Sequence, residues 1–420
     1  MKILFVHQNF PAQFKHLAPE LQNTYGHEVR VLTIDSNKNP IDLTVVRYKP
    51  ARANTRNIHP WLLDMESKVI RGEAAFLAAM EMREGGFYPD VIVAHPGWGE
   101  SLFLTDVWPK ARLGLYCEFY YQHNANEMNF DPEFNSTAIT ESCRLRIKNA
   151  NHDLQFALAT RALSPTKFQR STFPLALQKN IDVIHDGIDT ELLQPNAEVE
   201  LRINNLILNR SSEIITFVNR NLEPLRGYHR FMRALPEILR SRPNARVIIV
   251  GGDDVSYGAR PPAGKSWKKI FLDEVHEQLD MDRVHFVGQI AYPNFIKLLQ
   301  LSAVHVYLTY PFVLSWSLLE AMSIGCAIVA SDTAPVREAI SNNETGVLVD
   351  FFDTKNLAEK TTALLQNSAE RARLGKAARE FAIANYDLRS VCLGQQLAWV
   401  DSLMAAKEQI VSPITSDGIH

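Results

Sequence analysis

The chain has 420 residues, of which 46% are hydrophobic and 22% are charged, and its formal net charge at pH 7 is -3. This length and apolar content suit two domains with large cores, and they exclude a disordered or fibrous protein. The nearly balanced charge excludes a general nucleic-acid-binding surface, so we expect no nucleic-acid partner.

Apolar runs of strand type alternate with amphipathic stretches through the first half of the chain. The predicted strands cover residues 3–6, 27–33, 45–48, 91–95, 113–117, 162–164 and 183–185. The predicted helices cover residues 12–21, 62–83 and 138–158. Apolar residues recur there at three- and four-residue spacing. This alternation predicts a parallel sheet with helices on both faces.

A polar stretch at residues 194–198 separates this pattern from a second one of the same kind. The strands predicted after it cover residues 214–218, 246–250, 284–287, 304–308, 327–330 and 347–349. We therefore predict an α/β protein with two doubly wound sheets, a hinge near residues 186–200, and a last helix near 388–404 that packs back across the first domain. The predicted divisions are residues 1–190, 191–386 and 387–420.

The cysteines and the hydropathy pattern give expectations about location. Four cysteines lie far apart in strand- or helix-like segments, at positions 117, 143, 326 and 392. This predicts neither a disulfide framework nor a zinc site, and it favours a reducing cytoplasm. No run of 18 apolar residues predicts a transmembrane helix. Basic residues outnumber acidic ones between residues 144 and 179, which indicates a solvated helix face or, as the alternative, peripheral docking to a membrane surface.

One carboxylate lies inside an otherwise apolar helix start between two predicted strands. Glu320 has leucine, alanine and methionine neighbours, and a buried carboxylate is seldom left without a partner. The backbone N–H groups of Ser315, Trp316 and Ser317 are placed at the positive end of the helix, where an anion such as a pyrophosphate binds. Glu320 is then placed to bind the hydroxyls of an attached ribose. The alternative is a helix carboxylate paired with a neighbouring Arg or Lys.

Two arginines follow the first strand of the second half. Arg220 and Arg226 lie in a loop beyond the carboxyl end of that strand, which is where ligands bind in open parallel sheets. The planar guanidinium group matches phosphate oxygens, so both are predicted to hold a diphosphate. A surface arginine loop is the alternative.

These segments resemble the donor-binding motifs of the retaining glycosyltransferases of family GT4. In that family two glutamates eight positions apart flank a Gly-Phe-Gly-like turn and bind the sugar nucleotide. Glu320 matches the second glutamate, whereas Phe312 stands in place of the first. The family also carries an Arg, and a Lys followed by Gly, where this chain has Arg220 and Arg226-Gly227.

The resemblance implies the GT-B fold, in which two Rossmann-like domains face each other across a cleft. It implies a nucleotide-diphosphate sugar as the donor, with no metal and no other cofactor, because the arginines and the helix start would neutralise the leaving diphosphate. A loop similar to the one that reads the nucleobase follows the strand at residues 284–287. The implied donor contacts are Arg220, Arg226, Gln289, Ile290, Phe312, Ser315, Trp316, Ser317, Leu318 and Glu320.

The first half resembles a narrower branch of GT4, the exopolysaccharide galactoglucan-type glycosyltransferases. The matching pieces are residues 5–14, 95–100, 116–121 and 130–134. This resemblance implies a glycan or lipid-linked acceptor in surface polysaccharide synthesis. The implied acceptor contacts are Asn9, Phe10, His95, Trp98 and Glu118. Glu118 and His123 are the first-half candidates for catalysis beside Arg220 and Arg226, with a structural carboxylate as the alternative for Glu118 and a satisfied strand-end histidine for His95.

The departure at Phe312 leaves the function open in two ways. An aromatic ring there favours a deoxy-type sugar or loose discrimination at one hydroxyl, unless the ring belongs to the core and a backbone amide replaces the carboxylate. The missing carboxylate also motivates a rival, a catalytically silent subunit that binds a nucleotide sugar or glycan. A weaker rival is a sugar-nucleotide epimerase. The run Asp280-Met281-Asp282 spells a metal-binding Asp-x-Asp, but it is placed where a helix-ending turn is expected.

Overall fold

The first half of the protein forms a seven-stranded sheet. The structure, a computed structural model, describes residues 1–122, 128–135, 140–203 and 206–405. The strands are β1 (Lys2–Val6), β2 (Glu28–Ile34), β3 (Thr44–Tyr48), β4 (Val91–Ala94), β5 (Arg112–Tyr116), β6 (Arg161–Ser164) and β7 (Ile181–Val183). Their order is β3-β2-β1-β4-β5-β6-β7, with every pairing parallel. The predicted sheet is confirmed.

Helices cover both faces of this sheet and bury its apolar side chains in two clusters. They are α1 (Leu17–Asn23), α2 (Leu63–Glu84), α3 (Leu104–Val107), α4 (Glu141–Phe156), α5 (Lys167–Ser171) and α6 (Leu175–Gln178). The predicted helix at residues 12–21 is shorter than expected. A 3₁₀ turn at Ala12–Phe14 precedes α1, since Ala12 has a φ of +39°, outside the right-handed helical region.

The second half repeats the architecture. A two-stranded antiparallel hairpin that the pattern did not predict, β8 (Leu201–Ile203) and β9 (Leu206–Leu208), comes first. The sheet strands are β10 (Glu213–Asn221), β11 (Ala245–Gly252), β12 (Val284–Gly288), β13 (Val304–Tyr307), β14 (Ile328–Ser331) and β15 (Val347–Val349). Their order is β12-β11-β10-β13-β14-β15, and all pairings are parallel.

Two apolar clusters fill the faces of the second sheet as well. The helices are α7 (Tyr228–Ser241), α8 (Trp267–Val275), α9 (Tyr292–Leu301), α10 (Trp316–Ile324), α11 (Ala334–Arg337), α12 (Thr354–Gln366) and α13 (Ser368–Tyr386). The buried strands read as continuous apolar runs because helices cover both sides of each sheet.

The last helix returns to the first sheet, as predicted. A π-helical turn at Leu388–Cys392 leads into α14 (Leu393–Ala405), whose Trp399 and Leu403 pack into a core cluster of the first half. Gly114 of β5 makes this approach feasible, because a Cβ there would lie 2.6 Å from the Trp399 ring.

The chain crosses between the two sheets twice, and the crossings lie side by side. Ile188 and Asp387 form an isolated parallel bridge, and the Thr190 hydroxyl donates to the Asp387 carboxylate. The domain limits near residues 190 and 386 stay predictions. Within the described ranges, no helix has the length and apolar character needed to cross a lipid bilayer.

Candidate active site

A cavity of about 610 Å³ lies between the two sheets, beyond the carboxyl ends of their strands. Residues after β1, β4 and β5 form one wall, and residues at or after the ends of β10 and β13 form the other. Ligands of open parallel sheets bind at such strand ends, so this cavity is the candidate active site.

Arg226 is fixed in the second-domain wall. A tight turn at Gly227, with a φ of +69°, brings the chain so close to Leu308 that a Cβ at Gly227 would lie 2.2 Å from the leucine Cβ. Arg226 Nη1 then donates to Thr309 Oγ1 at 2.9 Å and to the Val313 carbonyl at 3.0 Å. These bonds orient a nearly buried guanidinium group beside the cavity.

Arg220 lies in the same wall with an exposed side chain. No ion pair of Arg220 is found within the described ranges. The structure therefore brings the two arginines predicted to bind the diphosphate to one wall. Arg226 is rigidly held, and Arg220 is free to reorient.

Helix α10 begins at Trp316, with Ser315 as its N-cap, but its N–H groups are less free than predicted. The Ser317 N–H donates to Ser315 Oγ at 3.3 Å, and the Ser315 N–H donates to the Tyr307 hydroxyl at 3.0 Å. Leu318 is fully buried and its N–H donates to the Ser315 carbonyl. This corrects the expectation that Ser315 and Ser317 offer unpaired donors and that Leu318 contacts the donor.

A contact between the domains was missed by the sequence reasoning. The Trp316 indole lines the cavity and donates to Asp186 Oδ2 at 2.7 Å, and the Tyr116 hydroxyl donates to Asp186 Oδ1 at 2.8 Å. Burial raises the pKa of Asp186 to about 7. The sequence feature that could have indicated this contact is the position of Asp186 directly after the last strand of the first sheet. That position served only to place the hinge.

Glu320 is buried, with 7% of its surface exposed, and its partner is a tyrosine. The Tyr292 hydroxyl donates to Glu320 Oε1 at 2.7 Å, and burial raises the pKa of the carboxyl group. The paired Arg or Lys of the alternative interpretation is not found in the described part of the chain. Glu320, Gln289 and Ile290 lie outside the cavity wall, so their contacts with a donor stay predictions.

Phe312 belongs to the core. Its ring is 2% exposed and packs against Phe119 of the first domain at 4.7 Å and Tyr257 of the second at 5.1 Å between ring centroids. This corrects its assignment as a donor contact and agrees with the alternative in which the ring is core. The side chain cannot be exposed to a sugar while Phe119 and Tyr257 cover it.

Glu118 faces the arginines from the first-domain wall. It is half-buried, lines the cavity at the end of β5, and accepts a hydrogen bond from Gln13 Nε2 at 3.2 Å. His95 is buried, its Nδ1 accepts from the Gly97 N–H at 3.1 Å, and its Nε2 lies 3.8 Å from Glu118 Oε2. His95 is thus held at a strand end through Nδ1, but its buried Nε2 has no hydrogen-bond partner among the described residues, so the interpretation as a satisfied histidine is only half met.

The other predicted acceptor contacts have different outcomes. Asn9 and Trp98 line the cavity, and the Trp98 ring packs against His95 at 4.4 Å. Phe10 does not line it, because its ring is buried in the core of the first domain. That corrects its assignment as an acceptor contact. His123 lies outside the described residues.

Glu223 is a second wall residue that the sequence reasoning missed. Its buried carboxylate accepts from the N–H groups of Ser256, Tyr257 and Gly258 at 3.0 to 3.3 Å. These bonds hold the loop after β11 so that the Tyr257 ring lies over the Arg226 guanidinium at 5.9 Å. The signal was a carboxylate directly before a proline in the arginine loop.

Two clusters of carboxylates lie away from the cavity. Asp280 caps a 3₁₀ turn and pairs with Arg283, which suits the helix-ending turn expected there. Asp131, Glu133 and His229 are close enough for a metal site. The two carboxylates instead pair with arginines of α7, at positions 230 and 233. We assign this group to the docking of residues 128–135 on the second domain.

Family models match both halves of the chain. The model of the glycosyl transferase family 4 group matches residues 25–193, and the model of glycosyl transferases group 1 matches residues 200–381. The chain belongs to the GT4-type glycosyltransferases. The resemblance to GT4 is therefore confirmed, whereas the galactoglucan-type branch is not shown.

Curated relatives match this chain over part of their length. Spore coat protein SA of Bacillus subtilis is 27% identical over 232 residues, which is 53% of this chain and 58% of that protein. A D-inositol 3-phosphate glycosyltransferase of Rhodococcus jostii is 30% identical over 203 residues, 48% of this chain and 42% of that protein. The chain spans about half the length of the curated relatives it matches.

Solved structures show the fold of this chain. Sucrose-phosphate synthase of Thermosynechococcus elongatus has a TM-score of 0.72 at 18% identity and covers 97% of this chain and 100% of its own. Anabaena HepE in complex with UDP has a TM-score of 0.65 at 17% identity and covers 96% and 100%. The predicted GT-B fold is confirmed.

Proposed function

We propose that this chain moves a sugar from a nucleotide-diphosphate donor to a glycan or lipid-linked acceptor, with retention of configuration and without a metal ion. The observation that carries the proposal is the placement of Arg220 and Arg226 in one wall of the cleft and Glu118 in the other. The donor diphosphate needs positive charge, which the arginines provide, and the acceptor hydroxyl needs a group that takes its proton, which Glu118 provides.

The chemistry follows from this placement. The bond between the anomeric carbon and the diphosphate breaks, and its electron pair leaves with the diphosphate, whose charge the two guanidinium groups stabilise. The acceptor oxygen forms the new bond from the same face, and its proton moves to the Glu118 carboxylate, which acts as a general base. Glu320 would bind the ribose, once the donor reaches it from the cavity.

The donor is proposed to be a UDP-sugar. Structures of Anabaena HepE, which shares the fold, are described in complex with UDP and with UDP-glucose. A role in surface polysaccharide synthesis is supported by the similarity to a spore coat protein, whereas the galactoglucan-type branch stays a prediction. The proposed location is the cytoplasm, with peripheral contact to the membrane where a lipid-linked acceptor would lie.

Thermal stabilisation by a panel of nucleotides tests the proposal. UDP, GDP, ADP and dTDP, and their sugars, are compared at concentrations up to several millimolar. One nucleotide series should raise the melting temperature, because a ligand at 100 times its Kd stabilises the folded state by about 2.7 kcal/mol. Arg226→Lys should weaken this effect, whereas Arg240→Lys, a change on the exposed side of α7, should leave it unaltered. No stabilisation by any nucleotide would contradict the proposal.

A second candidate function rests on Phe312. The family has a glutamate at this position, and a buried ring here removes one carboxylate from the donor side. A catalytically silent subunit that binds a nucleotide sugar or a glycan would retain stabilisation by nucleotides but show no turnover.

A further inference from the structure

A row of hydrogen bonds runs along the first-domain wall from His7 to Glu118. The Asn9 N–H donates to His7 Nδ1 at 2.9 Å, and His7 Nε2 lies 2.9 Å from Gln13 Oε1. Gln13 Nε2 then lies 3.2 Å from Glu118 Oε1. His7 is buried, and it lines the cavity together with Gln13 and Glu118.

The direction of each bond in this row is fixed by chemistry. A backbone N–H can only donate, so His7 Nδ1 is an acceptor and carries no proton. Burial is the main cause that lowers the pKa of His7 well below its usual value, so the ring is neutral and its one proton is on Nε2. That proton is donated to the Gln13 carbonyl oxygen, which leaves the Gln13 amide N–H₂ facing the carboxylate.

We propose that Gln13 is a positioning residue, oriented by His7, that holds the Glu118 carboxylate towards the cavity as the base for the acceptor hydroxyl. The inference rests on the proposed function and adds to it the group that sets the geometry of the base. Among the described residues, Gln13 forms no hydrogen bond with Arg220, Arg226 or Trp316.

A neutral amide suits this position for a physical reason. A carboxylate that serves as a base has to stay ionised and free to receive a proton. Lys or Arg in place of Gln13 would pair with Glu118 and lower its basicity, whereas an apolar side chain would leave Oε1 without a donor. The amide orients Glu118 Oε1, while Oε2 lies 3.8 Å from His95 Nε2, beyond hydrogen-bonding distance, and is left to receive the acceptor proton.

The test compares Gln13→Glu with Gln22→Glu, the same change on α1 at a position outside the cavity wall. Release of nucleoside diphosphate from a panel of nucleotide sugars, including UDP-glucose, is measured without acceptor between pH 5 and 9. Binding of the nucleoside diphosphate alone is measured by calorimetry.

Gln13→Glu should lower kcat at pH 7 by at least about tenfold, within the range for a general base. It should also move the acid limb of the pH–rate profile upwards by about one unit, because two adjacent carboxylates retain a proton between them. Gln13→Met should lower kcat without moving the limb. The affinity for nucleoside diphosphate should stay within about twofold of wild type in both variants, because Gln13 lies in the wall opposite Arg220 and Arg226.

The outcomes separate the inference from the proposed function. An unchanged kcat and pH profile in Gln13→Glu, beside an active wild type, overturns the inference alone. Equal changes in Gln13→Glu and Gln22→Glu overturn it as well, since that result shows a general charge effect. A wild type that releases no diphosphate from any sugar in the panel overturns the proposed transfer, and the inference with it.

Discussion

The two walls of the cleft differ in charge and in how their charged groups are held. The second-domain wall presents Arg220 and Arg226 beside the buried Glu223, whereas the first-domain wall presents Glu118 and Asp186 beside Lys38. Arg226 is anchored by a neighbouring hydroxyl and a backbone carbonyl, whereas Glu118 accepts one hydrogen bond, from an amide, and lies 3.8 Å from His95 Nε2. The fixed positive charge of Arg226 is suited to stabilise a leaving anion, and a carboxylate with few hydrogen bonds, such as Glu118, is suited to receive a proton. Substitutions confined to one wall should therefore separate the two roles.

The largest effect is expected from the rigid cation of the second wall. Arg226→Ala should lower kcat/KM by about 10²- to 10³-fold, the usual loss when a preorganised charge donor is removed. Arg226→Lys should recover part of this, since it keeps the charge and loses the planar fork. Steady-state kinetics with Arg240→Ala, an exposed arginine on α7, as the control gives the comparison. Turnover near the wild-type value in Arg226→Ala would remove this residue from the mechanism.

Glu320 tests whether the second wall extends to the ribose. Glu320→Ala should weaken nucleoside diphosphate binding by about 10- to 150-fold, because a hydrogen bond to a charged group contributes roughly 1.5–3 kcal/mol. Calorimetry with UDP measures it, with Glu359→Ala on the exposed face of α12 as the control. A large fall in melting temperature with unchanged affinity would instead show that Glu320 serves the fold through Tyr292.

Asp186 gives the first wall a pH-dependent stability. Burial raises the pKa of Asp186 to about 7, above its value in the unfolded chain, so the folded state retains the proton. The protonated carboxyl group therefore contributes fully to the free energy of unfolding below the unfolded pKa. This contribution is lost as the pH rises towards 7, by up to about 1.4 kcal/mol per pH unit. Urea unfolding at pH 5, 6 and 7 should show this decline in wild type and a flatter dependence in Asp186→Asn. Identical slopes would contradict it.

The smallest effect is expected from removal of metal ions. If the guanidinium groups stabilise the diphosphate, transfer should continue unchanged in excess chelator. Diphosphate release with and without EDTA is the measurement. An absolute requirement for Mg²⁺ or Mn²⁺ would return Asp280-Met281-Asp282 and the group at Asp131 to consideration.

The sequence predicted the two sheets and the arginine loop of the second-domain wall. It predicted the contacts that Asp186 and Glu223 make less well. Both sheets follow from apolar runs alone, and the arginine loop follows from its place at a strand end. The 3₁₀ turn before α1 was not predictable, because it depends on the backbone conformation at Ala12. Asp186 and Glu223 were missed for a similar reason. Their importance comes from partners at Trp316 and in the loop after β11, which are distant in sequence.

Two residues were assigned to the site by motif position although the fold buries them. Phe312 stands where the family has a carboxylate, but its ring packs between Phe119 and Tyr257. Phe10 lies in a segment that otherwise lines the cavity, but its ring enters the core. A motif gives the position of the backbone, and packing decides where each side chain points.

The most direct test of the central claim is the release of nucleoside diphosphate from a nucleotide sugar, followed by NMR of the freed sugar. We predict slow hydrolysis of one donor by wild type, with the anomeric configuration of the donor retained in the first product, and loss of this activity in Arg226→Ala. Binding of the donor with no turnover would contradict the account and favour a silent subunit. A product of inverted configuration would contradict attack from the face of the leaving diphosphate.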